Sequence, residues 1–252
     1  MNRNKKIIYS LVLFVLFFGD FFIAQAQSLP IVTVGARTAE NPEETATAVQ
    51  ILVLLTVLTI APSILIMTTA FTRIIIVFHF IRQALGVQSM PPNQVLVGLA
   101  LFLTFFIMAP TFNNVYDKSF TPYVEGEMSQ DSAFSIASVE MKKFMLRQTG
   151  EKELELFLGL HRGEMPKTSL DIPLQVVIPS FILSEFRIAF QIGFILYLPF
   201  IIMDMVIASI LMSMGMMMLP PMMISLPFKI LLFILVDGWY LLVQSIINGY
   251  TY

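Results

Sequence analysis

Six ionisable side chains lie within or beside long apolar runs, where a charge is costly unless it has a partner. They are Arg73, Glu185, Arg187, Asp204, Lys229 and Asp237. At the centre of a membrane such a charge costs on the order of 3 kcal/mol on insertion scales. Two kinds of chemistry are open to these residues: an ion or proton relay, or buried ion pairs that fix helix register and assembly. Their signs alternate along the chain, which favours pairing, because a relay usually consists of acidic or histidine groups.

The spacing of Asp204 and Lys229 predicts one such pair. The two residues are 25 positions apart, with a midpoint near Met217. In an antiparallel hairpin that turns there they lie at matched depth, so we expect them to pair within the hairpin or between adjacent copies. Glu185 and Arg187 are two positions apart and face different sides of a helix. Each of these needs another partner, for which Arg73 or a neighbouring copy is available.

A methionine-rich window, residues 212–223, is the second candidate site. It holds seven of the seventeen methionines. Gly215, Pro220 and Pro221 interrupt helical geometry there and predict a turn. Methionine is flexible and polarizable, so a cluster of methionines can fill changing shapes. Two interpretations stay open: a deformable seal that closes around a variable object, or an ordinary hydrophobic hairpin turn.

The sequence has few residues or motifs for disulfide formation, metal binding, catalysis or nucleic-acid binding. The chain has no cysteine and two histidines, which excludes disulfides and thiolate metal sites. No HExxH, GxGxxG, P-loop or GxSxG pattern occurs, and Ser184 beside Glu185 has no evident general base. We therefore expect no enzyme, no cofactor and no metal. The net charge of −2 provides no basic field for nucleic acid.

The composition indicates what must position these residues. The chain is 57% hydrophobic and 13% charged, whereas soluble domains are roughly half apolar and a quarter charged. We predict an all-α membrane protein with two long kinked helical hairpins, about four transmembrane segments, and a small helical extracytoplasmic insert. The first hairpin spans 48–112, and the second, with the methionine-rich loop, spans 173–252. Backbone groups freed by Pro62, Pro179 and Pro199 need neighbouring protein, which favours several copies around a common axis.

The amino-terminal segment has the pattern of a secretory signal. Residues 1–26 begin with basic side chains, continue with an apolar core and end in a small-x-small site at Ala26. We expect cleavage after Ala26, and the alternative is an uncleaved first transmembrane anchor. Residues 27–47 are polar and predict an extracytoplasmic linker.

Residues 113–172 differ in kind from both hairpins. They carry ten acidic and seven basic residues, which predicts a water-facing insert. Apolar positions recur at helical spacing over 139–146 and 152–160. We expect a small helical pair there, with Gly150 between its members.

Several motifs resemble the FliP family of flagellar export-gate proteins, which is homologous to the R subunits of injectisome type III secretion systems. The most specific are PSFILSEFR at 179–187 and SMGMMMLPP at 213–221. Further matching stretches are 71–73, 86–94, 193–200, 204–206, 225–229 and 237–239. The resemblance extends from about Val49 to the end of the chain.

This resemblance implies a function. Family members form a multi-copy core, a pentamer, together with two other small membrane proteins, FliQ and FliR. The core is an export gate for unfolded flagellar proteins in the cytoplasmic (inner) membrane, within the flagellar basal body. A methionine-rich loop acts as a gasket around the passage, a role that the resemblance assigns here to Met216, Met217 and Met218. An ion- or proton-coupled transporter is the alternative, although no inverted repeat between the two halves supports it.

Overall fold

The computed structural model describes residues 42–87, 90–163, 165–216 and 219–250, and within these ranges it contains helices and no strands. By internal contacts the chain divides into residues 1–55 and 56–252. The expected signal peptide with Ala26, the linker up to residue 41, and Met217 and Met218 lie outside the described residues. Of the first unit, only the start of helix α1 is described.

The first hairpin contains helices α1 (Pro42–Thr68), α2 (Phe71–Ala84) and α3 (Asn93–Val115). Helix α1 begins at Pro42, before the expected start at residue 48. Proline is well tolerated at the first helical position.

The interruption of the first apolar run is at Thr69–Ala70, and α1 passes through Pro62. Pro62, one of the prolines from which the sequence analysis expected freed backbone groups, therefore does not end the helix. Thr68 Oγ1 donates to Ile64 O at 2.8 Å and Thr72 Oγ1 donates to Ile66 O at 2.9 Å. These hydroxyls satisfy carbonyls at the end of α1, and such side-chain bonds compete with continuation of a helix.

The second apolar run continues past its expected end at residue 112. Helix α3 is followed by a π-helical turn (Tyr116–Phe120) and a short helix α4 (Thr121–Val124). The segment Asn93–Val124 has 32 residues, about 48 Å at ~1.5 Å per residue. A hydrocarbon core is about 30 Å thick, so this segment is longer than the core and must tilt, kink or extend beyond it.

The insert contains the two predicted helices, α5 (Gln130–Gln148) and α6 (Glu151–Leu160), and a short 3₁₀ turn (Ser169–Asp171). Ser129 caps α5 by accepting a hydrogen bond from the backbone N–H of Ser132 at 3.3 Å. Both helices pack on the long helix of the second hairpin, so the insert is fastened to that helix.

The second hairpin contains α7 (Leu174–Ser213), α8 (Pro221–Leu235) and α9 (Gly238–Asn248). Helix α7 runs for 40 residues with Pro179 and Pro199 inside it. After the methionine-rich turn the second hairpin continues as a pair of helices bent by 62°, which is one candidate span if the pair is taken together.

The bend in the second hairpin lies at Asp237, which adopts a left-handed conformation with φ of 52°. Aspartate tolerates this conformation better than most residues. At the next position, Gly238, a Cβ would collide with the ring of Phe233, so glycine permits the close approach of the two helices.

The core lies mainly between α2 and α7. Ile74, Val77 and Phe78 of α2 and Phe181 and Ala189 of α7 are fully buried. Within the part of the chain that the structure describes, three segments are long and apolar enough to cross a membrane, and the bent pair α8–α9, taken as one span, is a fourth. The predicted all-α membrane fold is confirmed.

Candidate functional site

A buried ion pair joins the two hairpins near the amino terminus of α2. Arg73, in the first turn of α2, and Glu185, in the first third of α7, both have no exposed surface. Arg73 Nε donates to Glu185 Oε2 at 2.9 Å, and Nη2 donates to Oε1. This is the bidentate arrangement that a planar guanidinium and a carboxylate favour. The sequence offered Arg73 as a partner for Glu185, and the fold brings the two together.

The chain's last described residues complete this pair, which the sequence analysis missed. Arg73 Nη1 donates to Gly249 O at 2.9 Å, and Tyr250 Oη donates to Glu185 Oε2 at 3.0 Å. The Arg73 guanidinium carbon lies 3.9 Å from the centroid of the Tyr250 ring. A single tyrosine after an apolar helix carries no periodicity or motif that could have placed it here.

A second ion pair lies within the second hairpin. Lys229 Nζ is 2.6 Å from Asp204 Oδ2, the pairing that their 25-residue spacing suggests. Ser225 Oγ donates to Asp204 Oδ1 at 2.5 Å, and Lys229 Nζ donates to Ala84 O at 3.1 Å. Ala84 is the last residue of α2, so the lysine places a positive charge at a helix carboxyl terminus, where it is favoured.

The two ion pairs therefore hold opposite ends of α2. Arg73 and Ala84 are 11 positions apart, about 16 Å at ~1.5 Å per residue. Both pairs join α2 to the second hairpin, which fixes the register of one hairpin against the other. Removing one partner of a buried pair typically costs about 3–5 kcal/mol.

A third ion pair fastens the insert to α7. Arg187 Nε lies 3.0 Å from Glu153 Oε1 of α6. Ser184 Oγ accepts from the backbone N–H of Gly150 at 2.9 Å and donates to Glu153 Oε2 at 3.3 Å. Arg187 thus finds its partner in the insert. The Ser184 hydroxyl bonds to the insert in the same contact, so its role is to hold the insert against α7.

Asp237, the sixth ionisable residue, is not brought into any of these three pairs. It lies at the bend between α8 and α9, where its backbone N–H donates to Ile234 O at 3.1 Å and its carbonyl accepts from Leu241 N at 3.1 Å. Its position in the fold is that of a turn residue.

The methionine-rich turn is exposed in this chain. Gly215 has φ of 73°, and the backbone N–H of Met216 donates to Leu211 O at 3.0 Å, which ends α7 in a glycine-based helix cap. Pro220 precedes α8 and Pro221 is its first residue. The five methionines described in the window are exposed by 43 to 71%, namely Met212, Met214, Met216, Met222 and Met223.

The turn of the first hairpin lies against the first half of α8. A Cβ built on Gly86, in the first turn, would be 3.6 Å from Leu226 Cδ1 in the first half of α8. The Asp204–Lys229 pair and the carboxyl end of α2 are at this same end. The exposed methionines are therefore carried by a turn whose flanking helices are held together by the Asp204–Lys229 pair.

Electrostatics in the insert centre on Glu140. Its Oε1 accepts from Lys143 Nζ at 2.9 Å and from Lys118 Nζ at 3.1 Å. The hydrogen bond from Lys143 is the largest influence and lowers the pKa of the Glu140 carboxyl below its ordinary value. Among the described residues no group of three or more His, Asp or Glu side chains is placed to hold a metal ion.

Comparison with known proteins identifies the family. A family model described as FliP family matches residues 54–246. The flagellar biosynthetic protein FliP of Bacillus subtilis is 54% identical over 213 residues, which are 84% of this chain and 96% of that protein. Its counterpart in Treponema pallidum is 48% identical over 227 residues, 89% of this chain and 84% of that protein. The counterpart in Caulobacter vibrioides is 51% identical over 202 residues, which are 80% of this chain and 76% of that protein. Because the family model covers most of the chain, the chain belongs to the FliP family.

Proposed function

We propose that this chain is a core subunit of the flagellar type III export gate, in which several copies surround a passage for unfolded flagellar proteins. Membership of the FliP family supports a role in flagellar export, and the apolar helices support a membrane-embedded component. The observation that carries the proposal is the exposed methionine turn on a hairpin held by the Asp204–Lys229 pair.

The exposed methionine turn presents a surface that other copies of the chain can cover. Methionines exposed by 43 to 71% form an apolar surface without polar commitments. Several copies around an axis bring these turns together, and the flexible thioethers then fill the centre as a ring. Such a ring closes against water through dispersion contacts and hydrophobic dewetting, and it deforms when a chain passes. Met216, Met217 and Met218 are the proposed gasket.

The proposed assembly has defined partners and a defined place. Five copies, with FliQ and FliR, form the gate in the cytoplasmic membrane at the flagellar basal body. The three ion pairs hold each subunit's hairpins and insert in register, so that equivalent turns meet at the axis.

The alternative, an ion-coupled transporter, requires ionisable groups that change partners along a path. Arg73, Glu185 and Lys229 are instead fully or almost fully buried and bonded to local partners. This arrangement favours the gate, because a relay of permanently paired charges does not move ions.

The test is ion leak through the assembled complex. Met216→Ala, Met217→Ala and Met218→Ala together thin the ring, and we expect conductance of vesicles that contain the complex to rise several-fold while the complex keeps its native mass. Met165→Ala, which removes a methionine 74% exposed in the insert, is the matched control and leaves conductance unchanged. Unchanged conductance of an assembled triple variant contradicts the gasket.

A further inference from the structure

We propose that the space between α2, α5 and α7 is a binding site for a phenol group, and that the chain fills it with its own terminal turn, Gly249–Tyr250. The tyrosine side chain is thus an internal ligand of a preformed polar cleft. This inference goes beyond export and does not depend on it.

The cleft contacts both parts of a phenol. Tyr250 is only 4% exposed. Its ring lies 3.9 Å from the Arg73 guanidinium carbon and is stacked on Phe144 with centroids 6.4 Å apart and planes 16° apart. Its hydroxyl is 3.0 Å from Glu185 Oε2 and 3.2 Å from Ala70 O. The faces are those that bind an aromatic ring, and the acceptors are those that bind its O–H.

The cleft is held by contacts that do not involve the terminal turn. Arg73 and Glu185 bind each other from α2 and α7. Phe144 of α5 packs edge-on against Phe181 of α7, with centroids 5.9 Å apart. The groups that recognise the phenol are therefore positioned by contacts among three helices, and we expect them to stay in place when the Tyr250 side chain is removed.

The terminal turn supplies what the buried pair lacks. Without it, Arg73 Nη1 loses its acceptor at Gly249 O, and Glu185 Oε2 loses the phenol donor. A buried charge with an open hydrogen-bonding position is unfavourable. The empty cleft should therefore take up a small molecule with the same chemistry, an aromatic ring that carries one hydroxyl.

Filling the cleft also joins three parts of the chain. Tyr250 follows α9 in the second hairpin, Arg73 belongs to the first hairpin, and Phe144 belongs to the insert. Trp239, the chain's only tryptophan, lies at the start of α9 with its ring edge-on to Phe78 at 6.2 Å and to Phe233 at 5.5 Å. Its fluorescence therefore reports whether α9 is docked.

The experiment is chemical rescue of Tyr250→Ala in the full chain, in detergent micelles. Following Trp239 emission through a denaturant titration, we expect the ratio of folded to unfolded protein to fall at least ten-fold, the order expected for a hydrogen bond to a buried charge. Added phenol, which matches the atoms removed, restores the transition. Benzene, which lacks the hydroxyl, restores it about ten-fold less well.

Two further variants keep the test decisive if Tyr250→Ala does not fold. Tyr250→Phe keeps the ring and removes the hydroxyl, and its cost should become smaller in a Glu185→Gln background, because a neutral amide accepts the hydroxyl more weakly than a carboxylate while the Ala70 O acceptor stays the same. Tyr240→Ala, on an exposed position of α9, is the control and leaves the transition unchanged. Equal rescue by benzene and phenol, or a Tyr250→Phe cost that persists unchanged beside Glu185→Gln, overturns the proposal.

Discussion

Removal of Asp204 should destabilise the protein more than removal of its partner Lys229. The two side chains are unequally buried: the Lys229 side chain is 4% exposed and that of Asp204 is 29% exposed. In Asp204→Ala the buried Lys229 ammonium keeps only Ala84 O as a partner. Since removing one partner of a buried pair costs about 3–5 kcal/mol, we expect the free energy of unfolding to fall by an amount near the top of that range. In Lys229→Met the Asp204 carboxylate keeps its bond to the Ser225 hydroxyl and reaches solvent, so we expect the free energy of unfolding to fall by about 1–3 kcal/mol.

The assay is denaturant titration of the purified chain in detergent, followed by Trp239 fluorescence. The double variant Asp204→Leu/Lys229→Met is the control for charge burial. It should lie close to the original protein, because replacing both members of a buried pair with apolar groups is often neutral. Lys229→Met costing more than Asp204→Ala, or Asp204→Ala costing nothing, refutes the reasoning.

Exchanging the two charges gives a further check on the same geometry. Asp204→Lys with Lys229→Asp restores the ion pair but places a carboxylate against Ala84 O at the carboxyl end of α2, where negative charge is disfavoured. We therefore expect assembly and stability to recover only in part relative to Asp204→Ala. Full recovery would show that the contact with Ala84 contributes nothing.

The remaining predictions concern the insert and the core. The Glu140 pKa is lowered, chiefly by the hydrogen bond from Lys143. The ionised carboxylate therefore stabilises the folded protein at pH values above its ordinary pKa, and this stabilisation is lost as the pH falls through the lower pKa of the folded state. Glu140→Gln should make stability less dependent on pH in this acid range, as measured by hydrogen exchange of α5. Gly193→Ala places a Cβ against the Phe80 ring and should lower the free energy of unfolding by about 1–3 kcal/mol. Gly98→Ala, which meets nothing within 4 Å, should be neutral or stabilising, and equal effects of the two changes would contradict this packing.

Periodicity and spacing predicted the parts of the molecule that depend on local pattern. The long apolar runs predicted an all-helical membrane fold, because apolar runs of this length are typical of helices that cross a membrane. The spacing of Asp204 and Lys229 placed them at equal depth because the turn between them is marked by Gly215 and two prolines. The insert's two helices followed from the apolar positions on either side of Gly150.

Features that depend on contacts between distant segments were not predictable. Pro62 is the only proline in the first apolar run, yet the break lies after residue 68, where the hydroxyls of Thr68 and Thr72 bond to backbone carbonyls of the preceding helix. The bend at Asp237 depends on a glycine that fits beneath the ring of Phe233. Tyr250 reaches Glu185 across 65 positions, a separation at which no periodicity connects residues.

The most direct test of the central claim is the native mass of the gently solubilised chain co-expressed with FliQ and FliR. The account predicts a discrete complex with several copies of this chain and both partners retained, because only then do the methionine turns meet around one axis. A stable monomer or dimer without partners would contradict it and return the methionine window to an ordinary hairpin turn.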